Sequence, residues 1–384
     1  MTRGLNLIAA AFALTAVSYG LARFAYGLLL PQIRTELSLD AAAAGWIGSS
    51  AFAAYCAGIV FTFVCNDKLT PRTLAVLAGA AATLGMSCIV VASSGWVLGA
   101  GVALAGLSTG LTSPPLASAV AAHFNDGRRA RANAAINAGT AAGIVFSGAA
   151  AVLTTGAWRE LYTLFALIGA AITVWLWFAL PRGRLHETGS GIPLKTLRRP
   201  GLAMLCTSAF AMGLSSTAIW TFGADSLRGQ FGFTDTGIAW AWIALGVAGI
   251  SGSLTGVLID RYGMATIHRL SLLAIALAIL TLAATGFSAA YGYAAMSVFG
   301  AAYIVSSGAY LIQGIKLLPD RPDLGLGVPF LCLALGQTAG APAFGAMMGT
   351  AGAIQTLLTF AAPACLAIFL RPRAQPLESP ATNA

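Results

Sequence analysis

Apolar residues run along the chain in long blocks, broken by short polar clusters that carry most of the charge and several of the prolines. The blocks fall at about 6–33, 45–65, 73–93, 96–122, 133–155, 161–180, 201–223, 237–259, 265–286, 290–313, 326–349 and 351–370. Each is about 20 residues or longer, the length a helix needs to cross the hydrocarbon core of a bilayer. The pattern therefore predicts twelve membrane-spanning helices with short connections. Several blocks, such as Ala75 to Ser94, are rich in Ala and Gly. Small side chains let helix backbones approach closely where lipid supplies no hydrophobic drive between helices.

Composition agrees with the pattern: 58% of the 384 residues are hydrophobic and 9% are charged. A soluble chain of this length has no interior large enough for that apolar surface. The fold class is all-α integral membrane, with no soluble domain. The net charge of +9 is distributed by topology. Seventeen of the 21 Lys and Arg fall in one set of alternate loops and the termini, while Arg34, Arg159 and Arg228 make up the other set. The positive-inside rule then puts both termini in the cytoplasm. The basic balance answers to the acidic inner leaflet of a plasma (inner) membrane and gives no reason to invoke nucleic acid. Six cysteines are scattered singly, with no spacing that would hold a metal, and no cofactor is expected. The first block follows a short basic start but is too long for a signal peptide, so it is expected to remain as the first helix.

The hydrophilic stretch from Pro181 to Pro200 falls midway. It divides the chain into a six-helix bundle at 1–180, a cytoplasmic linker at 181–200, a second six-helix bundle at 201–372 and a cytoplasmic tail at 373–384. A shift of 193 residues superposes Gly20-Leu21 on Gly213-Leu214 and Asp67-Lys68 on Asp260-Arg261. A shift of 197 places Gly139, Gly143 and Gly148 on Gly336, Gly340 and Gly345. Common order and spacing across half the chain point to a duplicated unit, the construction of a rocking transporter.

One charge breaks the apolar pattern. Arg23 lies inside the first block, about 12 Å from Pro31 at 1.5 Å per residue, and its side chain leans back toward the helix N-terminus. Placing a guanidinium there costs on the order of 3 kcal/mol or more, which water, a carbonyl or an anion must offset. Tyr19 and Tyr26, at i−4 and i+3, share its helical face, so the face resembles an anion seat. None of the twelve acidic residues falls in the middle of a block. A buried carboxylate of the kind that takes up a coupling proton is therefore absent at depth, with Asp225 at a helix edge the nearest candidate.

Two turns carry a recognisable signature. "GVLIDRYGMATIHR" contains Gly256, Asp260, Arg261 and Gly263 in the spacing G-x-x-x-D-[RK]-x-G, and "FTFVCNDKLTPR" keeps Asp67, Lys68 and Arg72, with Phe63 where the first glycine belongs. The physics is a tight turn whose acid meets a neighbouring helix N-terminus and basic groups, a contact that latches one conformation. This signature resembles that of the major facilitator superfamily. The stretches "GLARFAYGLLLP", "HFNDGRRARANAAINAGTAAG" and "GAWRELY" are similar to its YbfB/YjiJ-type branch. The resemblance covers essentially the whole chain. It implies two pseudo-symmetric six-helix bundles, alternating access, and a central site between helices 1, 4, 7 and 10.

Ser216 is the counterpart of Arg23 in the second half, with Trp220 one turn further on. The tenth block offers Tyr303, Ser307 and Tyr310 at i, i+4 and i+7, with Gln313 beyond, and the fourth offers Ser108, Thr112 and Ser113. Within the fold implied by the resemblance these stripes converge with Arg23, Tyr19 and Tyr26 on one site. The expected function is secondary transport of a small, anionic organic solute; the alternative is export of amphipathic or drug-like compounds. The expected partners are that solute, the bilayer and a coupling ion of open identity. No nucleophile with a neighbouring base and no metal-ligand spacing suggests an enzyme.

Overall fold

The computed structural model describes residues 3–65, 69–154, 157–181 and 198–370. Among these residues eleven helices are long and apolar enough to cross a membrane, and a twelfth, Ala353–Ala367, is apolar but shorter. Helix α1 spans residues 3–37 and holds a π-helical segment, Ala16–Phe24, between the α-helical pieces Arg3–Thr15 and Ala25–Leu37. It is followed by α2 (Ala41–Cys65), α3 (Pro71–Val90), α4 (Gly95–His123), α5 (Asp126–Thr154) and α6 (Trp158–Ala179). The second half begins with α7, which comprises Leu202–Trp220 and, past a break, Gly223–Phe231. Then come α8 (Asp235–Tyr262, with a 3-10 turn at Ile250–Leu254), α9 (Met264–Ala283), α10 (Ala289–Leu317), α11 (Pro322–Ala351) and α12 (Ala353–Ala367).

The polar clusters end helices as their chemistry requires. Asp40 accepts from the Ala43 N–H at 2.6 Å to start α2, and Thr70 accepts from Thr73 N–H ahead of Pro71 in α3. Orphan N–H groups at a helix start need such acceptors. Gly263, with φ +84°, makes the sharp passage from α8 to α9 that a side chain would strain. Inside the helices, Thr15, Thr62 and Thr112 turn their hydroxyls to carbonyls of their own helix, the usual way to satisfy a hydroxyl away from water.

Two helix boundaries differ from the hydrophobic pattern. Helix α1 continues past Pro31 to Leu37 and ends where Ser38 adopts a left-handed conformation, so Arg34 lies in a last helical turn rather than a loop. Proline removes one backbone bond but leaves a long helix intact when packing holds both sides, and Pro31 is buried. Helix α7 breaks after Trp220, three residues earlier than the apolar block ends.

The repeated glycines are where the halves are built. A Cβ at Gly20 would collide with the Gly143 backbone, and Cβ atoms at Gly139 and Gly143 would strike the carbonyls of Phe12 and Ala16. The same contact recurs in the second half: Gly213 meets the Leu333 carbonyl, while Gly336 and Gly340 meet those of Phe210 and Leu214. Thus α1 lies against α5 and α7 against α11, backbone to backbone. The third glycine of each set faces the opposite half: Gly148 of α5 crosses α8 at Ala239 and Ile243, and Gly345 of α11 crosses α2 at Ala41. Between these crossings, α1 and α7 meet at Gly27 and the Trp220 carbonyl.

Candidate functional site

Arg23 sits in the π segment of α1 and is 6% exposed. Its Nη2 donates to Gln337 Oε1 on α11 at 2.7 Å. The guanidinium carbon stands 4.4 Å from the ring centre of Tyr55, 4.9 Å from that of Phe52 and 5.1 Å from that of Phe24. Aromatic faces stabilise a desolvated cation by up to about 2 kcal/mol each without neutralising it. Arg23 takes part in none of the ion pairs among the described residues, and its buried Nε finds no acceptor there. Among the described residues the centre of the molecule therefore holds a positive charge without a counter-charge.

Gln337 is fully buried and joins the halves. Its Nε2 donates to Ser216 Oγ at 3.1 Å and to Tyr303 OH at 3.2 Å. A guanidinium carries only donors, so the amide oxygen must face Arg23 and the amide nitrogen must face the hydroxyls. Trp220 stacks on Phe24 with 3.9 Å between ring centres and meets Tyr303 edge-on at 5.1 Å. On the first-half side, Tyr19 pairs its hydroxyl with Ser113 Oγ of α4 at 2.9 Å, and Thr112 bonds Ser18 Oγ at the same distance. Ser113 is exposed, while Ser18 and Thr112 are buried.

Tyr19, Ser216, Trp220 and Tyr303 are thus gathered around the Arg23–Gln337 contact. Tyr26 and Tyr310 are not. Tyr26 donates to the Ala44 carbonyl at 2.9 Å on α2, and Tyr310 pairs with Ser208 Oγ at 2.8 Å inside the second half, beside His268. The π segment explains the first departure. Its wider turns rotate fewer degrees per residue than an α-helix, so Tyr19 and Tyr26 no longer share the face that α-helical spacing assigns them. On α10 the stripe divides, with Tyr303 toward the centre, Tyr310 toward α7, and the Ser307 hydroxyl buried without a partner among the described residues.

The signature turns are placed as follows. Gly256, Asp260, Arg261 and Gly263 are exposed, a Cβ at Gly256 or Gly263 would meet nothing, and Arg261 lies over the Tyr262 ring at 5.4 Å. No hydrogen bond joins Asp260 to the described residues. Asp67 and Lys68 lie outside the described residues; Arg72 donates through Nε to the Leu180 carbonyl at 2.7 Å, capping the end of α6. Away from that side, Arg34 of α1 pairs with Asp225 at the start of the second piece of α7, an ion pair between the halves. Asp225 is therefore partnered by Arg34 rather than by Arg23, and Arg228 turns to Asp235.

Four participants escaped the sequence pattern: Gln337, Phe24, Phe52 and Tyr55. Gln337 was visible as a lone amide in the apolar block of α11, and in lipid an amide needs a partner. The two α2 aromatics carried no such sign.

A family model described as Major Facilitator Superfamily matches residues 12–341. The chain belongs to the Major Facilitator Superfamily. A relative called "Uncharacterized transporter YgaY" in Escherichia coli O157:H7 is 28% identical over 56% of this chain and 52% of its own. "Probable transporter SCO4007" of Streptomyces coelicolor is 29% identical over 69% of this chain and 63% of its own. The chain thus spans between half and two thirds of the length of these curated relatives. Among solved structures, the nucleoside transporter NupG superposes with a TM-score of 0.77 at 14% identity, covering 96% of this chain and 98% of that one. A bacterial homolog of the human lysosomal transporter Spinster, inward-facing and unoccupied, gives 0.77 at 15%, covering 96% of each chain. The human organic anion transporter MFSD10 gives 0.66 at 17%, covering 96% and 100%. At these identities the likeness is one of fold: two pseudo-symmetric bundles of the superfamily, in a multi-pass membrane protein.

Proposed function

We propose that the chain is a secondary transporter of the YbfB/YjiJ-type branch that moves a small organic anion across the inner membrane by alternating access. The observation that carries the anion is Arg23, a buried guanidinium held by a neutral amide and aromatic faces, with no carboxylate beside it. A permanent charge so placed is costly unless its work is to receive an opposite charge. Tyr19, Ser216, Trp220 and Tyr303 form the surrounding site. The chain is not an enzyme, and hydrophobic cations are disfavoured by the same charge.

The charge asymmetry of the loops orients both termini to the cytoplasm. In that orientation the bundles at 1–180 and 201–372 meet through Arg34 and Asp225 on the extracellular side. The turns with Asp67, Lys68 and Arg72 and with Gly256, Asp260, Arg261 and Gly263 latch the cytoplasmic side in the opposite state. The linker at 181–200 and the tail at 373–384 are cytoplasmic.

The test is a thermal-shift and binding screen of small organic acids and hydrophobic cations on purified protein. Acids should stabilise the wild type, Arg23→Ala should lose the response, and Arg23→Lys should retain part of it, since charge survives while the planar fork does not. A wild-type response from folded Arg23→Ala would remove the anion seat.

A further inference from the structure

We infer that the Gln337 side chain stands in the place of a substrate carboxylate, so that substrate binding displaces it from Arg23 and unties the two halves. The inference rests on the anion reading of Arg23 and adds the headgroup, its geometry and the coupling step.

Nη2 and Nε of Arg23 lie on one edge of the guanidinium, the edge that takes a carboxylate side-on with two parallel hydrogen bonds. In the structure Nη2 is satisfied by Gln337 Oε1 at 2.7 Å, while Nε is buried and without an acceptor among the described residues. An amide presents one oxygen to such an edge. A carboxylate presents two, with a charge, and charge-assisted pairs are roughly twice as strong as neutral ones. The site is therefore half filled by a weaker version of what fits it.

The backbone around Gln337 is packed closely into its own bundle. Gly336 and Gly340 hold α11 against α7, and Gly213 holds α7 against α11 next to Gln337 itself. Arg23 is fixed in the same way to the first bundle through Gly20 and Gly143. The Arg23–Gln337 bond thus ties the two bundles, and a carboxylate arriving at Arg23 releases it. The released amide keeps Ser216 Oγ and Tyr303 OH, both of its own bundle. A ligand that shifts a conformational equilibrium must interact differently with its two states, and an exchange of this kind supplies that difference. The rings of Phe24, Phe52 and Tyr55 around the charge, with Trp220 stacked on Phe24, favour a flat, apolar body behind the headgroup.

The experiment uses benzoate as probe and benzamide as its neutral match, measured by calorimetry on the full chain. Gln337→Leu removes the competitor, and benzoate affinity should rise about tenfold with no gain for benzamide. Gln337→Glu builds the carboxylate in, and the benzoate response should vanish from a protein that stays folded because the isosteric side chain pairs with Arg23. Spin labels at Thr35 and Gln230, in a cysteine-free chain, should report a wider separation in Gln337→Leu without any ligand. A benzoate response that is lost in Arg23→Ala but unchanged or weaker in Gln337→Leu overturns the exchange and leaves the anion seat standing. No benzoate response in either the wild type or Gln337→Leu overturns both.

Discussion

The two halves of the molecule share a scaffold and differ in chemistry at one matched position. In each, glycines bring the first helix against the fifth: Gly20 with Gly139 and Gly143, Gly213 with Gly336 and Gly340. Three residues beyond Gly20 stands Arg23, and three beyond Gly213 stands Ser216. The helix carrying the arginine is opened into a π segment, whereas Leu202–Trp220 is regular α-helix through Ser216. Ser216 satisfies itself on the Gly213 carbonyl at 2.7 Å, and Arg23 has to reach the other half for Gln337. Duplication explains the framework; the site depends on what the copies no longer share.

The largest effect should come from breaking the shared scaffold. Gly143→Val and Gly336→Val each place a branched side chain where backbone stands, at a cost of roughly 3 kcal/mol or more. Both should yield little folded protein by size-exclusion chromatography, and to the same degree; a tolerant half would end the equivalence. Next comes the unshared position. The exchange Arg23→Ser with Ser216→Arg keeps composition and total charge, yet it leaves the aromatic faces of Phe24, Phe52 and Tyr55 behind. Organic-acid binding should stay lost, and recovery to within tenfold of the wild type would mean that either half can host the charge. The smallest effect concerns Arg34 and Asp225, whose counterparts under the 193-residue shift are Leu227 and Gln32. Arg34→Leu removes a partly buried ion pair and should lower stability by about 1–2 kcal/mol while widening the Thr35–Gln230 separation. An unchanged separation would show that this pair does not hold the halves together.

Much of the framework was legible because lipid enforces it: twelve apolar helices, their repeat and the glycine spacing follow from hydrophobicity and close packing alone. Arg23 was legible for the same reason, as a charge whose cost demands an explanation. Its surroundings were less so. A helical wheel presumes an unbroken α-helix, and the π segment turned Tyr26 toward Ala44. The first apolar block stops at about residue 33, whereas packing carried α1 on to Leu37. Tyr310 lay on the expected stripe but found Ser208 within its own bundle. Gln337 went unread because one neutral amide in an apolar block signals only that some partner exists.

The glycine crossings between the halves have a kinematic meaning. At Gly148 the backbone of α5 comes against Ile243 and the Ala239 carbonyl of α8, and at Gly345 that of α11 comes against the Ala41 carbonyl of α2, with no room for a side chain on either glycine. Surfaces of that kind mesh like bearings: they resist separation, since any gap forfeits contact along the whole crossing, yet they offer little corrugation to turning. Bundles that meet on such surfaces turn against each other more readily than they part.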